Sequence, residues 1–280
     1  MTITEVPLHR RKTHITVDVE EWFHLTHDEM PPFDKWDALQ PTVEKNTLRI
    51  LEMFDLHGHK GTFFFLGWVA KHYKNLVKEV SNRGHEIASH GFNHEDVGRK
   101  GYDALLSDIS DSRKILEDIT SHQVRGYRSP VFTGHTERFF TMLVEAGYEY
   151  DSSVFPAKRN SGDASYFPKV PFNMIFANGQ GLTEFPISVI SFLGKQFPIG
   201  GGYFRAYPLW LTKTLIDKAK KDDNYVMFYF HPREVDKEHP RLKIKNPVNR
   251  IKRYVGMKNA EKKIDSILST TVSSRIDECL

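Results

Sequence analysis

The chain has 280 residues, of which 39% are hydrophobic, and a formal net charge of +3. A chain of this length can form a sizeable hydrophobic core. The net charge is small and does not by itself indicate an anionic partner. We therefore expect no nucleic-acid ligand. The single cysteine, Cys279, excludes an intrachain disulfide and a cysteine-based zinc site.

The hydropathy of the sequence predicts neither export nor a membrane span. The N-terminal segment lacks the apolar stretch of a signal peptide. No run of about eighteen apolar residues occurs, so no helix is expected to cross a membrane. We therefore expect a cytoplasmic protein.

In the first half of the chain, apolar runs of strand length alternate with amphipathic stretches of helical spacing. We predict strands at 14–19, 62–66, 85–88, 126–128 and 148–150, and helices at 43–56, 68–83, 103–119 and 137–146. Repeated strand–helix–strand units imply parallel strands joined by right-handed crossovers. Such a succession favours a barrel or a doubly wound sheet.

The second half of the chain is less regular. Pro, Gly and Asn residues between 155 and 202 predict long loops with a short strand at 185–188. A helix at 209–220 and a strand at 225–230 follow. Lys and Arg are frequent from 241 to 263, before a final helix. We interpret this tail as a solvated basic face, and contact with an anionic membrane surface or a polyanionic glycan is the alternative.

An acidic cluster follows the first predicted strand. Strand side chains alternate between two faces, so Asp18 and Glu20 point the same way while Glu21 points the opposite way. Burying two carboxylates side by side in a core costs free energy unless a cation neutralises their charge. The cluster therefore indicates either a cation site or a solvated acidic turn.

Two histidines follow the strand predicted at 85–88. His90 and His94 can bind one cation if the segment turns once, although such a pair can be incidental in a chain with 14 histidines. One carboxylate with two imidazoles is a common ligand set for a catalytic divalent metal that keeps positions open for water and substrate. Combined with the acidic cluster, the pair predicts a metal site.

Arg128 and His231 also follow predicted strands, where α/β folds place their active sites. Beside a carboxylate in a pocket of low dielectric constant, Arg128 would keep that group ionised, whereas elsewhere it would be a surface charge. His231 is suited to donate a proton near neutral pH, although a hydrogen-bonded core histidine would give the same pattern.

The order of these motifs resembles the polysaccharide deacetylase family, the NodB-homology group of carbohydrate esterases. The matching segments lie within roughly residues 13–235 and are DVEE at Asp18, HGFNH at His90, RSP at Arg128, YDSS around Asp151 and YFHP at His231. Later segments resemble a subgroup associated with exopolysaccharide biosynthesis and exosortase-linked gene clusters, namely EFPIS at Glu184, PIGGGYFR at Pro198 and RYVGMKNAEKKI in the tail.

The resemblance implies a distorted (β/α) barrel with fewer than eight repeats and a bound divalent metal, usually zinc. It implies that Asp18 is the general base and that Arg128 pairs with it. It further implies that His90 and His94 are metal ligands and that His231 is the general acid.

One departure from the family pattern concerns the third metal ligand. The family usually has two adjacent aspartates, whereas Val19 follows Asp18 here. The alternation of strand side chains favours Glu20 as the acidic ligand, with Glu21 as the fallback. The match at Asp151 leaves two roles open, because this residue either orients the general acid or caps a turn.

We predict that residues 1–240 form the catalytic domain and that residues 241–280 form a basic extension whose helix packs on it. Candidate substrate contacts are Phe132, Tyr203, Phe204 and Arg205. The resulting hypothesis is metal-dependent removal of N-acetyl groups from an amino-sugar poly- or oligosaccharide, for example a lipid-linked precursor in exopolysaccharide or surface-glycan biosynthesis. The alternatives are a cyclic amide or imide hydrolase on the same fold and a catalytically silent glycan-binding module.

Overall fold

The apolar runs of the sequence form strands around one barrel-like core. The computed structural model describes residues 1–8, 11–24, 31–159, 162–192, 195–242 and 244–280. The strands in chain order are β1 (Thr2–Glu5), β2 (Lys12–Val19), β3 (Thr62–Phe65), β4 (Glu86–Ser89), β5 (Gly126–Tyr127), β6 (Tyr150–Asp151), β7 (Lys158–Arg159), β8 (Gly162–Asp163), β9 (Phe172–Ile175), β10 (Gly181–Glu184), β11 (Val189–Phe192), β12 (Lys195–Pro198) and β13 (Tyr225–Phe230).

Helices follow most of the central strands and cover the outside of the sheet. The α-helices in chain order are α1 (Val43–Leu56), α2 (Gly67–His72), α3 (Lys74–Asn82), α4 (Tyr102–Thr120), α5 (Glu137–Glu145), α6 (Gly201–Ala206), α7 (Leu209–Asp222), α8 (Pro247–Tyr254) and α9 (Met257–Leu268). Short 3-10 helices lie at Phe33–Ala38, Val97–Arg99, Pro232–Val235 and Asp277–Cys279. Among these described helices, none combines the length and the apolar character needed to cross a membrane.

Within the described residues, nine strands form one sheet in the order β1-β9-β10-β6-β5-β4-β3-β2-β13. All neighbours from β10 to β13 are parallel, whereas β9 and β1 extend the sheet with antiparallel pairing. The chain after β10 reaches the opposite edge, where the backbone N–H of Ser188 donates to the Met227 carbonyl at 3.3 Å. These contacts produce the distorted barrel that the sequence predicts.

The central strands are buried on both faces because helices cover one face and the barrel interior occupies the other. In β2, Ile15 and Val17 pack with the helices, whereas Thr16 and Asp18 point into the interior. The ring of Phe64 in β3 also points inward. This alternation sets the orientation of the acidic side chains at the end of β2.

The amino ends of the strands are closed by the last segment of the chain. The carboxylate of Glu86, in β4, accepts hydrogen bonds from the Thr62 hydroxyl at 2.5 Å and the Tyr150 hydroxyl at 2.8 Å. It also accepts the backbone N–H groups of Ile276 and Asp277, both at 3.1 Å. Burial and the nearby Asp277 charge raise the pKa of Glu86 to about 7.

Two elements differ from the sequence prediction. The single helix predicted at 68–83 is interrupted at Tyr73, whose φ of −126° and ψ of 53° are not helical, so α2 and α3 are separate. The strand predicted at 185–188 is wrong, because this segment lies between β10 and β11. Its N–H groups bond to carbonyls in different parts of the chain, so no single ladder forms.

The region after residue 240 packs on the same barrel. The Ser273 hydroxyl accepts the backbone N–H of Ile15 at 2.9 Å, and α9 contacts α1 and α6. The Lys263 ammonium donates to the carbonyls of Phe204, Arg205 and Tyr207. Part of the basic tail is therefore hydrogen-bonded to the barrel and does not form a solvated face. The helix α8 within this tail was not predicted from the sequence.

Candidate active site

The acidic cluster at the end of β2 separates into two environments. Glu20 is 1% exposed and points toward the histidines of the next motif, and its Oε2 lies 2.5 Å from His94 Nε2. Glu21 points away and accepts the N–H groups of Thr42 and Val43, both at 2.7 Å, at the start of α1. The structure therefore groups Glu20, and not Glu21, with the two histidines.

His90 and His94 lie on the turn that follows β4. Gly91 and His94 adopt positive φ angles of 74° and 53°, which turn the chain back so that both imidazoles face Glu20. His90 Nδ1 lies 2.8 Å from the Arg128 carbonyl, and its Nε2 lies 4.0 Å from Glu20 Oε2. Burial lowers the pKa of His90 to about 4, so the imidazole is neutral near neutral pH.

This group fits a divalent cation. Among the described residues, Glu20, His90 and His94 are brought together as a possible metal site, with ligand atoms all within 4.8 Å of one another. Two imidazoles and one carboxylate suit such an ion. Oε2 of Glu20 is buried and faces the Nε2 atoms of His94 and His90, whereas Arg233 donates to Oε1, as expected for an oxygen available to a metal.

Arg233 was missed by the sequence interpretation and contacts the same carboxylate. Its guanidinium donates to Glu20 Oε1 at 2.6 Å, so Oε2 remains directed at the histidines. Burial alone would raise the pKa of Glu20, but the facing His94, His231 and Arg233 hold it well below its usual range. The carboxylate is therefore ionised throughout the physiological pH range.

Asp18 forms a buried ion pair with Arg128. Arg128 Nη1 donates to Asp18 Oδ1 at 2.7 Å and to the Thr16 hydroxyl at 2.8 Å. Arg128 Nη2 donates to the Ser152 hydroxyl at 2.8 Å, and the guanidinium lies 3.9 Å from the ring centre of Phe64. These contacts fix the guanidinium, which in turn orients Asp18 and leaves its Oδ2 facing His231.

His231 follows β13 and faces both carboxylates. Its Nε2 lies 4.0 Å from Asp18 Oδ2 and 3.8 Å from Glu20 Oε1. On the other side of the ring, Nδ1 lies 3.5 Å from Glu234 Oε1. Burial would raise the pKa of Glu234, but His231 and Arg205 lower it, so Glu234 is an ionised partner for the imidazole.

Of the two roles left open for Asp151, the structure shows the turn cap and not the orientation of His231, so its place among the catalytic candidates is corrected. Its carboxylate accepts the Ser153 hydroxyl at 2.6 Å and the Ser153 N–H at 3.2 Å, which caps a turn. It also contacts the buried Glu184, and burial raises the pKa of both carboxyl groups. Glu234 occupies the position beside His231, and the only sequence signal for it was an acid three residues after that histidine.

Three of the four candidate substrate contacts also require correction. Phe204 is fully buried and packs on Phe228. Arg205 is 4% exposed, and its donors bond to Glu234 and to backbone carbonyls of α8 and its C-terminal end. Neither side chain is accessible to a substrate. Tyr203 is 41% exposed and stays a candidate.

Phe132, the fourth candidate, lies behind the Arg128 motif. It is 6% exposed and packs edge-on against Phe155 and Tyr229. Its positive φ of 52° is uncommon for an aromatic residue. The ring is therefore part of the packed interior and does not form an open surface for a sugar.

Comparison with known proteins gives two family matches. Residues 19–150 match the profile described as Polysaccharide deacetylase, and residues 152–280 match one described as a domain of unknown function, DUF3473. The first match begins one residue after Asp18 and covers Glu20, His90, His94 and Arg128. The second includes β13, His231 and Glu234, so both matched segments contribute to the same site.

Curated relatives match part of the chain. A Bacillus cereus peptidoglycan-N-acetylglucosamine deacetylase is 31% identical over 84 residues, which are 30% of this chain and 30% of that protein. A chitooligosaccharide deacetylase of Azorhizobium caulinodans is 30% identical over 95 residues, which are 34% of this chain and 44% of that protein. The chain thus spans less than half the length of each of these relatives.

Solved structures share the fold over nearly the whole chain. A protein described as a putative polysaccharide deacetylase from Mycobacterium smegmatis has a TM-score of 0.63 at 17% identity, covering 98% of this chain and 91% of the other. An allantoinase has a TM-score of 0.59 at 17% identity, covering 98% and 90%. These likenesses confirm the fold class, and together with the profile match they confirm the resemblance found in the motifs. The resemblance is therefore to the polysaccharide deacetylase family over residues 19–150, and residues 152–280 match a segment of the DUF3473 type.

Proposed function

We propose that this chain is a metal-dependent hydrolase that removes N-acetyl groups from the amino sugars of a poly- or oligosaccharide. The observation that carries the proposal is the convergence of Asp18, His231 and the Glu20–His90–His94 group on one buried site. Hydrolysis of an amide needs a base for water, positive charge near the carbonyl and an acid for the departing amine. Each of these three requirements can be met by a group in this site.

Asp18 is the proposed general base. Arg128 occupies Oδ1, so Oδ2 is the atom that can accept a proton. A water held beside Oδ2 would transfer its proton there as its oxygen attacks the acetyl carbon. The buried ion pair keeps the carboxylate in one orientation during that transfer.

Glu20, His90 and His94 are the proposed metal ligands, and zinc is the candidate ion because it accepts mixed carboxylate and imidazole donors. A bound divalent cation would supply positive charge for the carbonyl oxygen and increase the acidity of water. Arg233 is proposed to position Glu20, since it occupies Oε1 and leaves Oε2 as the single donor atom.

His231 is the proposed general acid. Its Nε2 faces the two carboxylates, whereas Nδ1 faces the ionised Glu234. Glu234 stabilises the imidazolium and keeps a proton at Nδ1, so the Nε2 proton is the one available for donation. Protonation of the nitrogen lets it leave as a neutral amine when the C–N bond breaks.

The proposed substrate is an N-acetylated amino-sugar chain. The names of the relatives support this class, since one is a peptidoglycan deacetylase and another a chitooligosaccharide deacetylase. Within this class we propose a lipid-linked precursor in exopolysaccharide or surface-glycan biosynthesis, on the basis of the PIGGGYFR and EFPIS segments. Tyr203 is the proposed sugar-stacking side chain, because it is exposed and aromatic.

Acetate release is the direct test. The zinc-loaded chain would be incubated with N-acetylglucosamine oligomers and, in parallel, with allantoin, and acetate and ring opening would be measured. We expect acetate together with one new amine for each acetate released. Ring opening without acetate would instead support the cyclic-amide alternative. Oligomer binding with neither reaction would support a silent glycan-binding module.

A further inference from the structure

Residues 241–258 are a basic segment of the sequence, and much of its described part lies on the surface. This segment contains no Asp or Glu. Its exposed basic side chains within the described structure are Arg241, Lys245, Arg250, Lys252 and Lys258. Such a density of one sign of charge on the surface attracts an anionic partner.

The helix α8 presents apolar side chains within this basic segment. Val248 is 55% exposed and Ile251 is 64% exposed. Because they are three residues apart, they share one face of the helix, and the exposed Lys252 lies next to them. An apolar stripe flanked by Lys and Arg is typical of helices that lie in the interface of a membrane.

The opposite face of α8 is fixed beside the active site. The buried Arg253 donates from Nη2 to the carbonyl of Trp22 at 2.6 Å, and Trp22 follows the Glu20–Glu21 pair. Arg205 donates to the Arg253 carbonyl at 2.7 Å. A surface bound to the outer face of α8 would therefore be held close to the edge that carries Glu20.

We propose that α8 docks on an anionic lipid surface. Val248 and Ile251 enter the headgroup region, while Arg250 and Lys252 bind the lipid phosphates. A bilayer is the occupant because it matches both features, whereas a soluble acidic glycan would match the charges and leave the apolar stripe uncovered. The consequence for catalysis rests on the proposed function, since docking would bring the site to a lipid-linked glycan.

The test is cosedimentation of the full chain with vesicles of phosphatidylcholine alone or mixed with equal phosphatidylglycerol. We expect binding to the mixed vesicles and a loss of binding as salt increases. Each Lys or Arg near an anionic surface strengthens binding by about fivefold, so Arg250→Glu with Lys252→Glu should weaken it by more than about tenfold. Val248→Ser with Ile251→Ser should weaken it by about tenfold, because apolar area is no longer buried.

Matched control variants carry the same types of substitution at exposed positions outside α8. Lys74→Glu with Lys78→Glu alters two exposed lysines of α3 and gives the same change in net charge. Leu56→Ser removes a side chain that is 76% exposed at the end of α1. Both controls should bind like wild type. Equal losses in variants and controls, or a wild type that binds a soluble polyuronate but no vesicles, would overturn the docking surface.

Acetate release from a soluble oligomer, measured on the same samples, separates this inference from the proposed function. The α8 variants should release acetate at the wild-type rate while they lose vesicle binding. Vesicle binding without acetate release would refute the deacetylase proposal and retain the surface. Acetate release without vesicle binding would refute the surface and retain the deacetylase.

Discussion

Buried carboxylates lie at both ends of the barrel, and their electrostatic surroundings are opposite. At the carboxyl ends of the strands, Asp18 and Glu20 face the guanidinium groups of Arg128 and Arg233. At the amino ends, Glu86 accepts hydrogen bonds from hydroxyl and backbone N–H groups. The pKa of Glu20 is held well below its usual range, whereas that of Glu86 is raised to about 7.

The comparison shows that burial alone does not decide the charge of a carboxyl group in this fold. Burial acts to raise the pKa of both Glu20 and Glu86, and cationic neighbours reverse the result for Glu20. One end of the barrel therefore maintains negative charge, which suits cation binding and proton acceptance. The other end holds a carboxyl group that is partly protonated near neutral pH and joins the C-terminal segment to the barrel.

The largest effect is expected at Asp18. Asp18→Asn should lower kcat for acetate release by about a thousandfold, because a general base typically contributes a factor of this order. Steady-state acetate assays of the zinc-loaded variant measure it. Asp151→Asn is the matched control, since this aspartate is also buried but contacts Ser153 and Glu184, and its kcat should stay within several-fold of wild type. An Asp18→Asn variant as active as wild type would refute the role of base.

A smaller effect, on the free energy of unfolding, is expected at Glu86, at the amino ends of the strands. The folded pKa of Glu86, about 7, lies above its ordinary value of 4.5, so the folded protein binds more protons than the unfolded chain between these values. The free energy of unfolding of wild type should therefore decrease as pH rises through this window. Glu86→Gln removes the titrating carboxyl group, so its free energy of unfolding does not fall with pH for this reason. Relative to wild type, the variant should therefore gain up to about 3 kcal/mol in free energy of unfolding between pH 5 and 8.

Urea denaturation of both proteins at several pH values measures the Glu86 effect. Gln retains part of the hydrogen bonding to Thr62 and Tyr150, so the pH dependence of the difference is more informative than its absolute value. A difference that stays constant from pH 5 to 8 would mean that Glu86 is ionised throughout. The contrast between the two ends of the barrel would then be lost.

The smallest effect is expected at Glu21, the acid adjacent to the proposed ligand. Glu21→Gln should lower the free energy of unfolding by about 1 kcal/mol, because it weakens the hydrogen bonds to the first N–H groups of α1. Urea denaturation near neutral pH measures this change. A loss of metal in this variant, without loss of stability, would show that the two glutamates had been assigned the wrong way round.

The sequence predicted the elements whose signals are local. The helix over Val43–Leu56 and the strand over Tyr225–Phe230 agree with the structure at both ends, because their apolar spacing is unbroken. The alternation of side chains after β2 also placed Glu20 and Glu21 on opposite sides. Such patterns depend on neighbours along the chain, so one sequence is sufficient to find them.

Features that depend on distant parts of the chain were not predictable in this way. Arg233 meets Glu20 across 213 positions of sequence separation, and only the pairing of β13 with β2 brings them together. The sequence offered Asp151 as one candidate for the position beside His231, whereas Glu234 fills it from a 3-10 turn. Burial of Phe204 and Arg205 likewise results from packing against later segments.

Metal binding by paired variants tests the central claim most directly. Zinc content after dialysis, with affinity from competition against a chelator, would be compared for wild type, Glu20→Gln and Glu21→Gln. We predict one tightly bound zinc in wild type and in Glu21→Gln, and an affinity lowered by at least about a hundredfold in Glu20→Gln, since even indirect partners of metal ligands can contribute this much. Wild-type affinity in Glu20→Gln would contradict the site formed by Glu20, His90 and His94.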